Sequence, residues 1–246
     1  MSESTSAENG STPVRFSVPS VPSVVNASYG SESDKLHAMK IGILGSGDVG
    51  KSFANAFSKL GHDIRIGSRT PSKLAEFGAK AATFNDAAKF GEIVVIATLG
   101  TATEEVIRVA GPGNFKGKVV IDATNPLDFS SGKPQLAIGH LDSLGERVQR
   151  WLPDGKVVKA FNTVGNALFF KPQLPGGPPD MFLCGNDADA KKTVSQICKD
   201  FGWGVIDIGG IESARYLEPM CLTWVLHGIL SGSWTHAFKM LHGGNR

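Results

Sequence analysis

KIGILGSGDVGKS, the stretch from Lys40 to Ser52, decides how the rest of this chain is interpreted. Its apolar residues indicate a short buried strand, which is followed by a glycine-rich turn and the start of a helix. Such a turn presents backbone N–H groups and a helix N-terminus that can hold a phosphate. Gly45, Gly47 and Gly50 match the GxGxxG motif of a dinucleotide-binding βαβ unit, whereas Gly45 and Gly50 with Lys51 and Ser52 match the GxxxxGK[ST] motif of a P-loop NTPase.

Short apolar runs alternate with helical patterns after this stretch. Helices are predicted up to Leu60, from Thr70-Pro71, and over Thr101–Ala110, Leu141–Arg150 and Asp187–Phe201. Strands are predicted over Met39–Leu44, Asp63–Gly67, Ile93–Ala97, Lys118–Asp122, Lys156–Phe161, Met181–Cys184 and Gly204–Ile208. This alternation predicts an α/β fold, a Rossmann-type doubly wound and mostly parallel sheet.

The chain divides into three parts by composition. Residues 1–38 are rich in serine and lack sustained periodicity, which predicts a disordered leader. Residues 39–210 form the predicted dinucleotide-binding domain, and residues 211–246 form a predicted C-terminal helical segment that would serve the acceptor site or a dimer contact.

Charge, hydropathy and cysteine usage exclude several classes of protein. A formal net charge of +2 gives no electrostatic case for a nucleic-acid partner. No apolar run approaches the roughly 18 residues of a membrane span. Cys184, Cys198 and Cys221 lack metal-ligand spacing, so we predict no metal site and a reduced, cytoplasmic setting.

Ligands of a doubly wound sheet bind beyond the carboxyl ends of its strands, near the point where the strand order reverses. The candidate ligand-binding stretches are therefore Gly45–Gly50, Gly67–Arg69, Ala97–Leu99, Ala123–Asn125 and Phe161–Thr163.

The end of the second strand favours the dinucleotide interpretation over the P-loop one. An NAD-binding unit carries a carboxylate there, whereas this chain has Ser68 and Arg69 followed by Lys73. Cations at a helix start oppose the helix dipole, so a bound 2′-phosphate explains them better than a solvated basic surface does. The cofactor would be NADPH rather than NADH, and Asp122 would support the turn at Thr124-Asn125-Pro126 rather than bind Mg²⁺.

Five separated stretches then carry a resemblance to a known family. They are Gly45–Gly50, Gly67-Ser68-Arg69 with Lys73, Lys159–Thr163, Leu183–Asp187 and Glu212–Pro219. From about Lys40 to Met240 the chain resembles the NADPH-dependent coenzyme F420 (8-hydroxy-5-deazaflavin) oxidoreductases. It is also similar to the cytosolic NADPH domain of the six-transmembrane ferric reductases.

The resemblance implies roles for individual residues. Ser46, Asp48 and Val49 would line the pyrophosphate turn, and Ser68, Arg69 and Lys73 would take the 2′-phosphate. Residues 97–99 would border the ribose and the nicotinamide, and residues 160–162 would lie near the nicotinamide carboxamide. The predicted cofactor-binding residues are Gly45, Ser46, Gly47, Asp48, Val49, Gly50, Ser68, Arg69, Lys73, Ala97, Thr98, Leu99, Asn125, Ala160, Phe161 and Asn162. The resemblance also implies a homodimer and a deazaflavin (F420) or flavin-like small-molecule acceptor, bound between the last of these strand ends and the C-terminal helical segment.

No side chain is predicted to act as an acid, base or nucleophile, because the cofactor carries the chemistry of hydride transfer. Thr98 and Asn162 are predicted to orient the nicotinamide, although Asn162 could instead satisfy strand-end backbone groups. Trp224 and Phe170 would either line an acceptor pocket or pack in the core or a dimer contact. Two rival functions remain at this point, an NADPH-binding sensor or scaffold without turnover and, more remotely, a P-loop NTPase.

Overall fold

A computed structural model describes residues 38–243 of the chain. The predicted leader therefore lies outside the described residues, apart from Ala38.

The described residues form an eight-stranded sheet with a separate two-stranded hairpin. The strands are β1 Lys40–Leu44, β2 Asp63–Gly67, β3 Ala81–Ala82, β4 Ile93–Ile96, β5 Val119–Asp122, β6 Leu127–Asp128, β7 Gln135–Leu136, β8 Lys156–Lys159, β9 Asp180–Gly185 and β10 Gly204–Asp207. The order across the large sheet is β3-β2-β1-β4-β5-β8-β9-β10, and β6 pairs with β7. All neighbours in the large sheet are parallel except β8 and β9, so the predicted mostly parallel sheet is confirmed.

Six α-helices accompany the strands in the described part of the chain. They are α1 Asp48–Lys59, α2 Phe84–Phe90, α3 Thr103–Ala110, α4 Leu144–Trp151, α5 Ala188–Asp200 and α6 Ala214–Ser231. The strand order reverses between β1 and β4, because β2 and β3 extend the sheet to one side of β1 and β4, β5 and β8 extend it to the other. This reversal is where ligands of such sheets bind.

An aromatic core covers one face of the sheet. Helix α1 packs into this core through apolar residues at helical spacing. Phe53 and Phe57 lie one turn apart on α1 and are fully buried. Phe57 packs edge-on against Phe201, which Phe53 meets at a tilt, and Phe53 packs edge-on against Phe161 and Phe169. The first helix is thus anchored by its apolar stripe, which holds the glycine turn before it in place.

The structure differs from the predictions in three details: one predicted helix is wrong, one hairpin is additional, and one helical segment ends earlier than predicted. The helix expected from Thr70-Pro71 is a 3-10 turn over Pro71–Lys73 followed by a second 3-10 segment, and β3 and α2 lie beyond it. The β6–β7 hairpin was not expected. The predicted helical segment 211–246 is helical only to Ser231, because Gly232 adopts a left-handed φ of 67° that ends α6.

Residues 232–243 turn back along α6 and reach the start of β9. The Asp180 N–H donates to the carbonyl of Phe238 at 2.9 Å, and the Met240 N–H donates to the Asp180 carboxylate at 2.8 Å. Trp224 on α6 donates from its indole N–H to the carbonyl of His236 at 2.9 Å. Within residues 38–243, no helix is both long and apolar enough to cross a membrane.

Candidate functional site

Each of the three glycines in the turn suits its position for a different physical reason. Gly45 has φ 135°, and a Cβ there would overlap the carbonyl of Ala97 at the end of β4. A Cβ at Gly50 would overlap the carbonyl of Gly45, so Gly50 lets α1 approach the strand closely. At Gly47 a Cβ would meet no described atom within 4 Å, which leaves room for a phosphate against the backbone. These are the roles that a dinucleotide-binding turn assigns to its glycines.

A cleft of about 860 Å³ opens at the carboxyl ends of β1, β2, β4 and β5. It is lined by residues 45–49, Lys51, residues 68–70, Lys73, Leu74, Phe84, residues 97–99, Ala102, Glu105, Val106, Val109 and Ala123. Most of the predicted cofactor-binding residues therefore share one cleft. Gly50, Asn125 and residues 160–162 are outside this lining. Leu74, Phe84, Val106 and Val109 were not predicted, and they add apolar side chains to the cleft lining.

The β2 end of the cleft presents cationic side chains. Arg69 and Lys73 are exposed, and neither forms a salt bridge with a described residue. Ser68 accepts hydrogen bonds from the Thr70 N–H at 3.1 Å and from the Ser46 hydroxyl at 3.3 Å, which ties this loop to the glycine turn. The geometry suits an anion with several oxygen atoms.

The residues that would serve a P-loop are engaged elsewhere. Lys51 forms a salt bridge with Glu76 at 2.9 Å, and this hydrogen-bonded partner raises the pKa of Lys51. Asp122 is fully buried, and one of its oxygens accepts from both the N–H and the hydroxyl of Thr124 at 3.0 and 2.6 Å. The prediction that Asp122 supports the following turn is confirmed, and its carboxylate does not face the cleft.

Thr98 keeps acceptor capacity at the β4 end. Its hydroxyl lies 3.1 Å from that of Thr103, and the Thr103 hydroxyl donates to the carbonyl of Leu99 at 3.1 Å. Because the Thr103 proton is used on Leu99, Thr98 is the donor within the pair. The Thr98 oxygen therefore retains lone pairs for a ligand N–H.

Asn162 follows β8 and is 3% exposed. Its amide N–H₂ donates to the Oδ1 of Asn125 at 3.1 Å and to the carbonyl of Leu217 at 2.9 Å, and Asn125 donates back to the carbonyl of Asn162 at 2.9 Å. The Oδ1 of Asn162 has no hydrogen-bond partner among the described residues. The Asn162 side chain thus satisfies a backbone carbonyl of α6 rather than a strand-end group, and it also retains a buried acceptor.

The aromatic candidates lie in the core or, for the half-buried Phe170, pack against it. Phe161 has φ 61° and is 1% exposed, with its ring stacked on Phe169, so a ligand could reach only its backbone; Ala160 is fully buried as well. Phe170 packs edge-on against Phe201, and Trp224 stacks on His236. The structure therefore gives both Trp224 and Phe170 packing roles.

Sequence reasoning missed a buried ionic cluster beneath this edge of the sheet. Lys159 lies 2.8 Å from Asp122 and 3.1 Å from Glu218, and all three side chains are at most 1% exposed. Burial lowers the pKa of Lys159, but the two carboxylates more than offset this and raise it overall. Burial raises the pKa of Glu218, an effect that Lys159 opposes.

Known proteins that are similar to this chain are described as NADP oxidoreductases or reductases, which agrees with a dinucleotide-binding cleft. Residues 40–126 match the family model described as NADP oxidoreductase, coenzyme F420-dependent. The F420-dependent NADP reductase of Methanocaldococcus jannaschii is 34% identical over 201 residues, which cover 74% of this chain and 89% of that protein. This chain belongs to the F420-dependent NADP reductase family.

A solved structure from Arthrobacter sp. FB24, described as an F420-dependent NADP-reductase, superposes on this family member with a TM-score of 0.79. It is 37% identical and covers 83% of this chain and all of that one. Metalloreductase STEAP3 of Rattus norvegicus is 31% identical over 75% of this chain, but the match spans only 37% of its length. The relatives are named as reductases, and this F420-dependent NADP reductase family member is an oxidoreductase.

Proposed function

We propose that this protein transfers hydride between NADP(H) and a deazaflavin (F420) or flavin-like acceptor. The observation that carries the proposal is the pair of exposed cations, Arg69 and Lys73, at the β2 end of a cleft that begins at a GxGxxG turn. The open space at Gly47 leaves room for the pyrophosphate in the middle of a dinucleotide, and Asn162 keeps a buried acceptor at the end of β8. The names of the relatives support the choice of NADP(H) and F420.

Different residues of the chain would bind different parts of the dinucleotide. The turn at residues 45–50 and the N-terminus of α1 would hold the pyrophosphate through backbone N–H groups. Ser68, Arg69 and Lys73 would hold the 2′-phosphate, since a forked guanidinium and an ammonium both donate to phosphate oxygens. Thr98 and Asn162 each offer an acceptor, and a carboxamide N–H₂ has two donors to give.

Bound NADPH would supply a hydride, one proton with two electrons, which the acceptor would take together with one solvent proton, leaving NADP⁺ and the two-electron-reduced acceptor. The chain's own contribution is to hold the two reacting atoms at about 3–3.5 Å and to fix the presented face of the ring. Neither Thr98 nor Asn162 titrates near neutral pH, so both act by orientation rather than by proton transfer.

An acceptor panel tests the proposed function. Purified protein would be mixed anaerobically with NADPH and, in turn, coenzyme F420, FMN, FAD, a ferric chelate and a quinone, while NADPH absorbance is followed. We expect rapid oxidation with F420 or a flavin. Tight NADPH binding with no oxidation by any acceptor would contradict the proposal and support an NADPH-binding sensor instead.

We further propose that α6 pairs with a second copy of the chain, because this helix is apolar on its exposed side as well as on its buried one. Leu226, Ile229 and Leu230 are 41%, 50% and 85% exposed. An apolar helix that leaves such a stripe uncovered is typical of an interface.

Replacing Ile229 and Leu230 together by glutamate should therefore give a monomer. Light scattering after size exclusion would show the mass fall from about twice 26.0 kDa to 26.0 kDa. Leu141→Glu is the matched control, since Leu141 is also 85% exposed but lies outside α6. A monomeric wild type would refute the pairing.

A further inference from the structure

The buried Lys159 ammonium makes two hydrogen bonds and one further ion-pair contact. Its Nζ donates to Asp122 Oδ2 at 2.8 Å, to the carbonyl of Thr124 at 2.8 Å and lies 3.1 Å from Glu218 Oε1. Lys159 therefore holds the end of β5, the turn after β5 and helix α6 at a single point.

Glu218 extends the cluster to a fourth element. Its Oε2 accepts from the Leu144 N–H at 3.0 Å, and its Oε1 accepts from the Gly145 N–H at 2.9 Å. These are the first two residues of α4, so the carboxylate meets the positive end of that helix. Gly145 also lies directly against the Lys159 stem, where a Cβ would come within 3.2 Å of its Cδ.

The turn after β5, the end of β8 and helix α6 also form a second, uncharged layer of hydrogen bonds. This layer lies at the edge of the sheet where the nicotinamide would bind. Asn125 comes from the turn after β5, Asn162 from the end of β8 and Leu217 from α6, and amide hydrogen bonds of 2.9–3.1 Å join them. Each segment thus contributes to both layers, and a shift in the ionic layer moves the amide layer with it. The free Oδ1 of Asn162 belongs to this amide layer.

Stability alone does not explain such a cluster. Replacing a buried ion pair by apolar residues of similar volume is often neutral or stabilising, because desolvating the charges offsets their attraction. A fully satisfied polar network does, however, select one arrangement of its parts. The contribution of the cluster is therefore to fix the relative positions of the chain segments that it joins.

We propose that Lys159, Asp122 and Glu218 form a positioning unit that sets the Asn125–Asn162 pair, and with it the orientation of the nicotinamide ring relative to α6. The three residues act through the amide layer and do not themselves meet the ring. This inference rests on the proposed function, in which the nicotinamide binds at this edge.

The test is a charge-free variant, Lys159→Met with Asp122→Asn and Glu218→Gln, which leaves no unpaired buried charge. Its matched control is Lys191→Met with Asp207→Asn, which removes a partly exposed ion pair between α5 and β10. Glu218→Gln alone is the milder variant, because it leaves Lys159 bound to Asp122 and Thr124. The probes are NADP⁺ for binding and conformation, and NADPH with F420 or FMN for transfer.

Transferred NOE spectra of NADP⁺ report whether the nicotinamide is syn or anti about its glycosidic bond. We expect one orientation in the wild type and in the Lys191/Asp207 control, and a mixture in the charge-free variant. The NADP⁺ affinity should stay within about twofold, since the phosphate contacts lie elsewhere in the cleft. The single-turnover hydride rate per bound NADPH should fall about 10- to 100-fold, and less in Glu218→Gln.

A single wild-type orientation and an unchanged rate in the charge-free variant would overturn the positioning role. If that variant does not fold, the same readouts on Glu218→Gln decide the matter in the same way. A wild type that binds NADP⁺ in one orientation but reduces neither acceptor would overturn the proposed function, and the spectra would still decide the positioning role. A wild type that binds no NADP⁺ would overturn both.

Discussion

Replacing Arg69 by alanine should weaken NADPH binding by about 1.5–3 kcal/mol, or about 10- to 150-fold, and leave NADH binding within about twofold. The reason is the position of Arg69, which is exposed at the β2 end of the cleft without a carboxylate partner among the described residues. NADH lacks the 2′-phosphate that this guanidinium would hold. Titration of the quenched protein fluorescence with each cofactor measures the two affinities.

The control for Arg69 is Arg150→Ala. Arg150 is also an exposed arginine, but it pairs with Asp142 at 3.0 Å on α4, outside the cleft lining. Its removal should change neither affinity. The NADPH affinity of the wild type should also fall as salt rises, and more steeply than that of Arg69→Ala. An equal loss of both cofactors in Arg69→Ala would refute the 2′-phosphate assignment.

Replacing Lys159 alone by methionine should lower the free energy of unfolding by about 3–5 kcal/mol. The substitution removes the ammonium but leaves Asp122 and Glu218 buried next to each other without a counter-charge. Glu218 would keep its hydrogen bonds from the backbone N–H groups of Leu144 and Gly145. Asp122 would keep those from the N–H and the hydroxyl of Thr124. Urea unfolding in the absence of cofactor, followed by far-UV circular dichroism, measures the loss.

Two comparisons separate charge from packing in this experiment. Lys191→Met removes a lysine whose partner Asp207 is 45% exposed, and it should lower the stability by at most about 1 kcal/mol. The charge-free variant should recover most of the loss of Lys159→Met, because no carboxylate then stays buried and unpaired. A loss below about 1 kcal/mol for Lys159→Met would show that water or rearrangement compensates the two carboxylates.

Local signals sufficed where a residue's role depends on its chain neighbours. The continuous apolar runs of β1, β4 and β5 predicted buried parallel strands, and the glycine spacing predicted the turn. Asp122 supports the turn two residues later, as expected from its position at a strand end. Local signals also misled at Thr70-Pro71, where proline suits the first turn of either a 3-10 or an α-helix.

The sequence by itself determined the α/β class, the strand ends that carry the cleft, and the cations at the end of β2, because these follow from short-range periodicity and from the rule that parallel strands end at one edge. Tertiary structure alone decided the reversal of β9, the return of residues 232–243 along α6, and the acceptor left free on Asn162. It also decided the cluster in which Lys159 meets Asp122 across 37 positions and Glu218 meets Gly145 across 73. A buried charge is stable only beside partners that satisfy it, and no local pattern records partners that folding brings together from distant parts of the chain.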